Sequence, residues 1–125
     1  MTVRVGVDLV SVSAVQEALK DHGEHYLTRV YTPGEVSDSA GDPTRLAARF
    51  AAKEATLKVL RAHEVGIAWP SIEVVRTDWG GVALSLTGVA AARAEEESLS
   101  GFALSLSHEE GFAVAVVISE ESVPT

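Results

Sequence analysis

Near the N-terminus, Val3, Val5, Val7 and Leu9 alternate with Arg4, Gly6, Asp8 and Val10. That period of two predicts a strand with one apolar face and puts Asp8 on the other face, near the strand's end. The period then lengthens. Val12, Val15 and Leu19 recur at helical spacing, with Ser11 placed to cap a short helix and Gly23 to end it. HYLTRVYTPGEV predicts a second short helix, a Thr-Pro-Gly turn and a helical start at Glu35, and the polar SDSAGDP after it reads as a loop. A long helix follows, capped by Asp42 or Thr44, with Pro43 tolerated in its first turn, and runs to about Arg61. Beyond the connection HEVGIAWP, the segments SIEVVRT, VALSL, GFALSLS and FAVAVVIS are strand-like. TGVAAARAEEE, between the second and third of these, predicts a short helix whose Glu95–Glu97 run is expected on a solvated face. Together these elements predict an α+β fold, a mostly antiparallel sheet packed on one long helix with short additional helices. Residues 1–125 are expected to form a single domain.

Composition narrows the chemistry. The chain is 46% hydrophobic and 22% charged, which suits a soluble globular protein rather than a disordered one. It has no cysteine, so disulfides, thiolate metal sites and a cysteine nucleophile are excluded. His22, His25, His63 and His108 are mostly far apart, and the near pair His22/His25 lies on a polar stretch expected at the surface, so zinc held by histidine alone is not expected. The net charge of −8 argues against nucleic acid or an anionic membrane surface as partner. No run approaches a membrane span and no signal-peptide pattern is seen, so a cytoplasmic location is expected.

Against that acidic background, RLAARFAAKEATLKVL on the long helix concentrates positive charge. From Thr44 to Arg61 there are five basic residues and one acid, Glu54. At 3.6 residues per turn Glu54, Lys58 and Arg61 share a face with Ala47 and Ala51, while Arg45, Arg49 and Lys53 form a second stripe. Two readings stay open. In one, Glu54–Lys58 is an ordinary i,i+4 surface pair. In the other, the cations surround a polyphosphate, Ala47 and Ala51 let it come close, and Glu54 holds a divalent metal. Magnesium takes one or two carboxylates plus phosphate oxygens and water, and Asp8 is the natural second carboxylate. Asp8 is equally placed to cap the helix after it. His108, after an alternating strand and before an acidic turn, is either structural or a phosphate donor or proton carrier. There is no Gly-x-Ser-x-Gly elbow, no Walker A pattern and no Gly-x-Gly-x-x-Gly.

GVDLV, RFAAKEATLK and LSLSHEEGFAVAVV, in that order and spread over nearly the whole chain, resemble the signatures of holo-acyl-carrier-protein synthase, the small single-module branch of the 4′-phosphopantetheinyl transferases. Phe-x-x-Lys-Glu-x-x-x-Lys is the specific part, present as Phe50, Lys53, Glu54 and Lys58. The resemblance implies transfer of the phosphopantetheine arm of coenzyme A to a serine hydroxyl of an apo acyl carrier protein, in fatty acid, polyketide or peptide biosynthesis. The other product would be adenosine 3′,5′-bisphosphate. It implies Asp8 and Glu54 as magnesium ligands, Lys58 on the pyrophosphate, and Arg49 and His108 facing coenzyme A and its 3′-phosphate. Lys53 belongs to the same cofactor-binding motif. Glu54, directly or through a metal-held water, is the candidate base, with Lys58 as its catalytic partner. The resemblance also implies a homotrimer with active sites between protomers.

The chain departs from the family pattern at the first helix. Ala14 stands where an arginine is frequent, and from Ser11 to Asp21 only Lys20 is positive, against Glu17 and Asp21. RAHEVG replaces a glycine-rich turn, Gly80-Gly81-Val82 replaces Gly-(Lys/Arg)-Pro, and Glu109 follows the histidine. These changes bear on the carrier-docking face and part of the coenzyme A pocket and hardly on the metal site. Two functions follow from the sequence: an active transferase, or a non-catalytic relative that binds coenzyme A or a carrier protein as an assembly partner.

Overall fold

The computed structural model describes residues 2–62 and 64–122, so His63 lies outside the described residues. Strand β1 (Thr2–Ser11) leads into three short helices, α1 (Val12–His22), α2 (Glu24–Val30) and α3 (Pro33–Ser39). The long helix α4 (Pro43–Leu60) follows, then a 3₁₀ turn (Trp69–Ser71), the hairpin β2 (Ile72–Arg76) and β3 (Val82–Leu86), helix α5 (Gly88–Glu96), and the strands β4 (Leu99–Glu109) and β5 (Phe112–Glu121). The expected α+β architecture is present, but its strands form two antiparallel sheets. One is three-stranded, in the order β1-β5-β4, and the other is the hairpin β2-β3.

Helix boundaries follow local chemistry. The Asp42 side chain accepts the Thr44 N–H at the start of α4, with Pro43 in the first turn, where no intrahelical N–H bond is needed. The helix stops at Leu60, and Arg61 takes a left-handed φ of 52°. Helix α3 starts at Pro33, two residues before the expected Glu35, because Thr32 and Glu35 form a reciprocal capping box. Its last residues take up part of SDSAGDP, which the sequence pattern assigned to a loop.

Helix α4 lies across the three-stranded sheet, and small residues bring the two together. Ala51, Ala52 and Ala55 on the helix face Ala113, Ala115 and Val117 on β5, all fully buried in one core. On β1 a Cβ at Gly6 would stand 2.2 Å from the Ala55 carbonyl oxygen, so only glycine permits this approach. A smaller core of Leu60, Ala62, Ile72, Ala90 and Ala94 joins α5 and β2 to the end of α4.

The packing also decides which face of β1 is inside. Arg4, Gly6 and Val10 are buried, while Val3, Val5, Val7 and Leu9, the apolar face, are exposed at 53–65%. Arg4 donates to the Val59 carbonyl at 2.9 Å and pairs with Glu97 and Glu121. Glu97 is therefore held between Arg4 and Arg93, whereas its neighbours Glu95 and Glu96 are exposed as expected.

Candidate active site

The approach allowed by Gly6 carries Asp8, two residues on along the same face of β1, up to the exposed side of α4. There the Lys58 ammonium donates to the Val7 carbonyl at 2.7 Å and to the Asp8 carboxylate at 3.2 Å. Lys58 thus pairs with Asp8, fifty residues away, rather than forming the simple i,i+4 pair with Glu54. Glu54, one turn earlier, is close enough to Asp8 to be repelled. Partial burial first, and then the Asp8 charge, push its carboxyl above the usual range, and Lys58 offsets only part of this.

Two carboxylates at close quarters beside a single lysine form a hard-oxygen donor set with spare negative charge. That composition fits magnesium, which needs few protein ligands and fills its shell with water and phosphate oxygens. Among the described residues no cluster of three or more His, Cys, Asp or Glu side chains forms, so a fuller protein cage is not built here.

Beside this group opens a groove of about 530 Å³. Glu54, Leu57 and Lys58 line one side, and Val65, Ile67 and Trp69, from the segment after α4, line the other. Its walls are mostly apolar and its mouth is charged, a combination suited to a long ligand with a phosphorylated end.

The other candidates lie elsewhere in the single chain. Arg49 is buried. Its Nη1 donates to the Arg45 carbonyl at 3.2 Å and its Nε finds no partner among the described residues. Burial lowers its pKa, while Asp38 and Glu35 oppose that. His108 is exposed on β4 opposite Ala113, which pairs in turn with Val10. It is therefore separated from β1 by a whole strand, about 10 Å across the sheet. Arg61 has left the helix, and its charge acts near Glu121 rather than beside Lys58.

Two expectations need correction. Ala47 and Ala51 are fully buried in the core and line no ligand path. Lys53, expected on a ligand, has no exposed surface; it pairs with the equally buried Glu35 at 2.8 Å. Successive side chains on a helix are about 100° apart, so Lys53 and Glu54 face different ways, and of the two only Glu54 lines the groove.

Residues 4–117 match the family model of the 4′-phosphopantetheinyl transferase superfamily. The chain belongs to that superfamily. The holo-[acyl-carrier-protein] synthase of Solibacter usitatus is 39% identical over 124 residues, covering 96% of this chain and 99% of the relative. The one from Frankia alni is 41% identical over 118 residues, covering 94% and 97%. Among solved structures, the Chronobacterium ammoniagenes ACPS–CoA complex superimposes with a TM-score of 0.85 at 31% identity, covering 98% of this chain and 100% of that one.

The superfamily motif can now be placed. Phe50 and Lys53 point toward the 3₁₀ turn, and Glu54 and Lys58 toward the groove. The groove's outer wall was not read from the sequence, because the segment from Ala62 to Ala68 has no periodic pattern to announce it. Glu35 did leave a signal, the Thr-x-x-Glu spacing of a capping box, but its pairing with Lys53 depends on tertiary packing.

Proposed function

We propose that the chain is a magnesium-dependent holo-acyl-carrier-protein synthase that moves the phosphopantetheine arm of coenzyme A onto a carrier serine. The observation that carries this reading is the convergence of Asp8, Glu54 and Lys58 at the mouth of an apolar groove, in a chain of this superfamily. The groove takes the pantetheine arm, and Lys58 faces the pyrophosphate. The serine Oγ attacks the β-phosphorus, the phosphoanhydride P–O bond breaks, and adenosine 3′,5′-bisphosphate leaves with the bonding electron pair. Glu54, ionised, is placed to receive the serine proton directly or through one water. Magnesium held by Asp8 and Glu54 would supply neutralisation of the charge that develops on the pyrophosphate. Arg49 and His108 are assigned to the nucleotide end, and the distance of His108 from Asp8 within one chain calls for a second copy to complete the pocket.

The outward face of the three-stranded sheet supports that assembly. Val5 lies opposite Ile118, Val7 opposite Val116 and Leu9 opposite Val114, and these pairs form one apolar surface in which Val5, Val7, Leu9 and Ile118 are exposed and Val114 and Val116 half-buried. Three copies packed on this face would give the trimer that the family resemblance implies. The site then serves a cytoplasmic biosynthetic carrier; among the described residues no helix is long and apolar enough to cross a membrane. The decisive experiment is incubation with coenzyme A, magnesium and a panel of apo carrier proteins, read by mass spectrometry. A carrier heavier by one phosphopantetheine arm is expected. Coenzyme A binding without modification of any carrier would make the chain a non-catalytic relative, and loss of both would remove the reading altogether.

A further inference from the structure

The motif residues Phe50 and Lys53 do not face the groove, yet both grip one point of its wall. The Phe50 and Trp69 rings pack with centroids 5.2 Å apart. The Lys53 ammonium donates to the Trp69 carbonyl at 3.1 Å, to the Ile72 carbonyl, and to Glu35 Oε1 at 2.8 Å. All three of its N–H groups are thus used, and none reaches solvent. Glu35 is satisfied as fully: it accepts the Thr32 N–H on Oε1 and the Val74 N–H on Oε2, each at 2.9 Å. One buried pair therefore joins α4, the start of α3, the 3₁₀ turn and β2.

A buried ion pair is a poor source of net stability, because desolvation offsets most of the Coulombic gain. A hydrophobic pair would hold α4 against β2 as well. What the charged pair adds is direction: an ammonium with three fixed acceptors leaves the Trp69–Ile72 backbone a single position relative to α4. Trp69 is where the irregular segment forming the outer wall ends, and Val65, Ile67 and Trp69 face Leu57 and Lys58 across the groove. The upstream end of that segment is fixed by the cap of α4, where the Ala62 N–H bonds the Leu57 carbonyl at 3.1 Å.

We infer that Lys53, with Glu35 and Phe50, is a positioning residue that sets the width of the substrate groove by anchoring Trp69. This rests on the proposal that the groove takes the pantetheine arm. Half of the motif then builds the wall, and the other half, Glu54 and Lys58, does the chemistry. The reacting group stands on α4 and β1, independent of this wall. Loosening the wall weakens ground state and transition state alike, which raises KM and spares kcat.

The test uses Trp69 as reporter in a Trp79→Phe background, since the chain has two tryptophans. Lys53→Met with Glu35→Gln removes both buried charges at similar volume. With folding verified by circular dichroism, acrylamide quenching of Trp69 is expected to rise. KM for coenzyme A is expected to rise about tenfold with kcat within about threefold of the parent. Unchanged quenching and KM, or a loss confined to kcat, would overturn the inference. Should the double variant not fold, Phe50→Leu loosens the same anchor by its ring contact alone. A smaller rise in KM and in quenching is then expected, and no change in either overturns the inference. The parent separates the two readings. If coenzyme A fails to alter its Trp69 emission and no carrier is modified, the groove assignment falls and this inference with it. If the parent responds and transfers normally while the variants match it, only this inference falls.

Discussion

Glu54 sits where burial and the charge of Asp8 both oppose ionisation. Its folded-state pKa is raised, so the folded protein holds this proton more tightly than the unfolded chain. The associated stability is fully present below the unfolded value and is lost as pH rises through the folded one. At neutral pH the ionised Glu54 is therefore a net cost. Glu54→Gln is expected to raise Tm at neutral pH, with the gain vanishing below the carboxylate range, and to abolish transfer. Calorimetry across pH checks this; a lower Tm for the variant at neutral pH would refute it. The same raised pKa predicts that magnesium binding weakens as pH falls through it and releases protons, which titration calorimetry in buffers of different ionisation heat would measure. Lys58→Met removes the ammonium bonded to Asp8 and is expected to lower kcat about a hundredfold or more.

At the scale of elements, the site depends on how closely α4 lies on β1. Gly6 has the Ala55 carbonyl oxygen at 2.2 Å and a Val59 methyl at 3.0 Å from where a Cβ would stand. Helix backbone cannot yield locally, so Gly6→Ala must lift α4 from the strand. A loss of about 1–3 kcal/mol in urea unfolding is expected, together with weaker magnesium binding as Asp8 and Glu54 separate. Wild-type stability and metal affinity in this variant would show the approach to be slack. The far end of α4 is held by guanidinium groups from two other elements. Arg4 donates to the Val59 carbonyl, and Arg93 to those of Leu60 and Arg61, satisfying acceptors that the helix end leaves free and matching its negative dipole.

For the whole molecule, the dominant exposed feature is the outer face of the three-stranded sheet. Exposed Val5 and Leu9, at 65% and 64%, paired with Ile118 and Val114, form the apolar surface on which the proposed assembly rests. Val5→Glu puts a charge at its centre. Sedimentation is expected to show monomers for this variant and a larger species for the parent, with transfer activity lost because the pocket is left incomplete. A parent that sediments as a monomer and remains active would remove the shared-site assembly.

The sequence by itself determined most of the elements, the alternation in β1, the start of α4 to within two residues and the set of residues that marks the superfamily. These are local properties, fixed by a repeat of two or 3.6 residues and by chemistry a few positions apart. It also fixed that Lys53 and Glu54 point different ways, since neighbours on a helix are about 100° apart. Which way was inward was not local information. Burial of Lys53 depends on Glu35, exposure of the apolar face of β1 depends on Arg4 finding Glu97 and Glu121, and the union of Asp8 with Lys58 depends on the absent side chain of Gly6. Each of these links joins different elements of the fold. A residue's period tells which neighbours share its face, and only packing tells what that face meets.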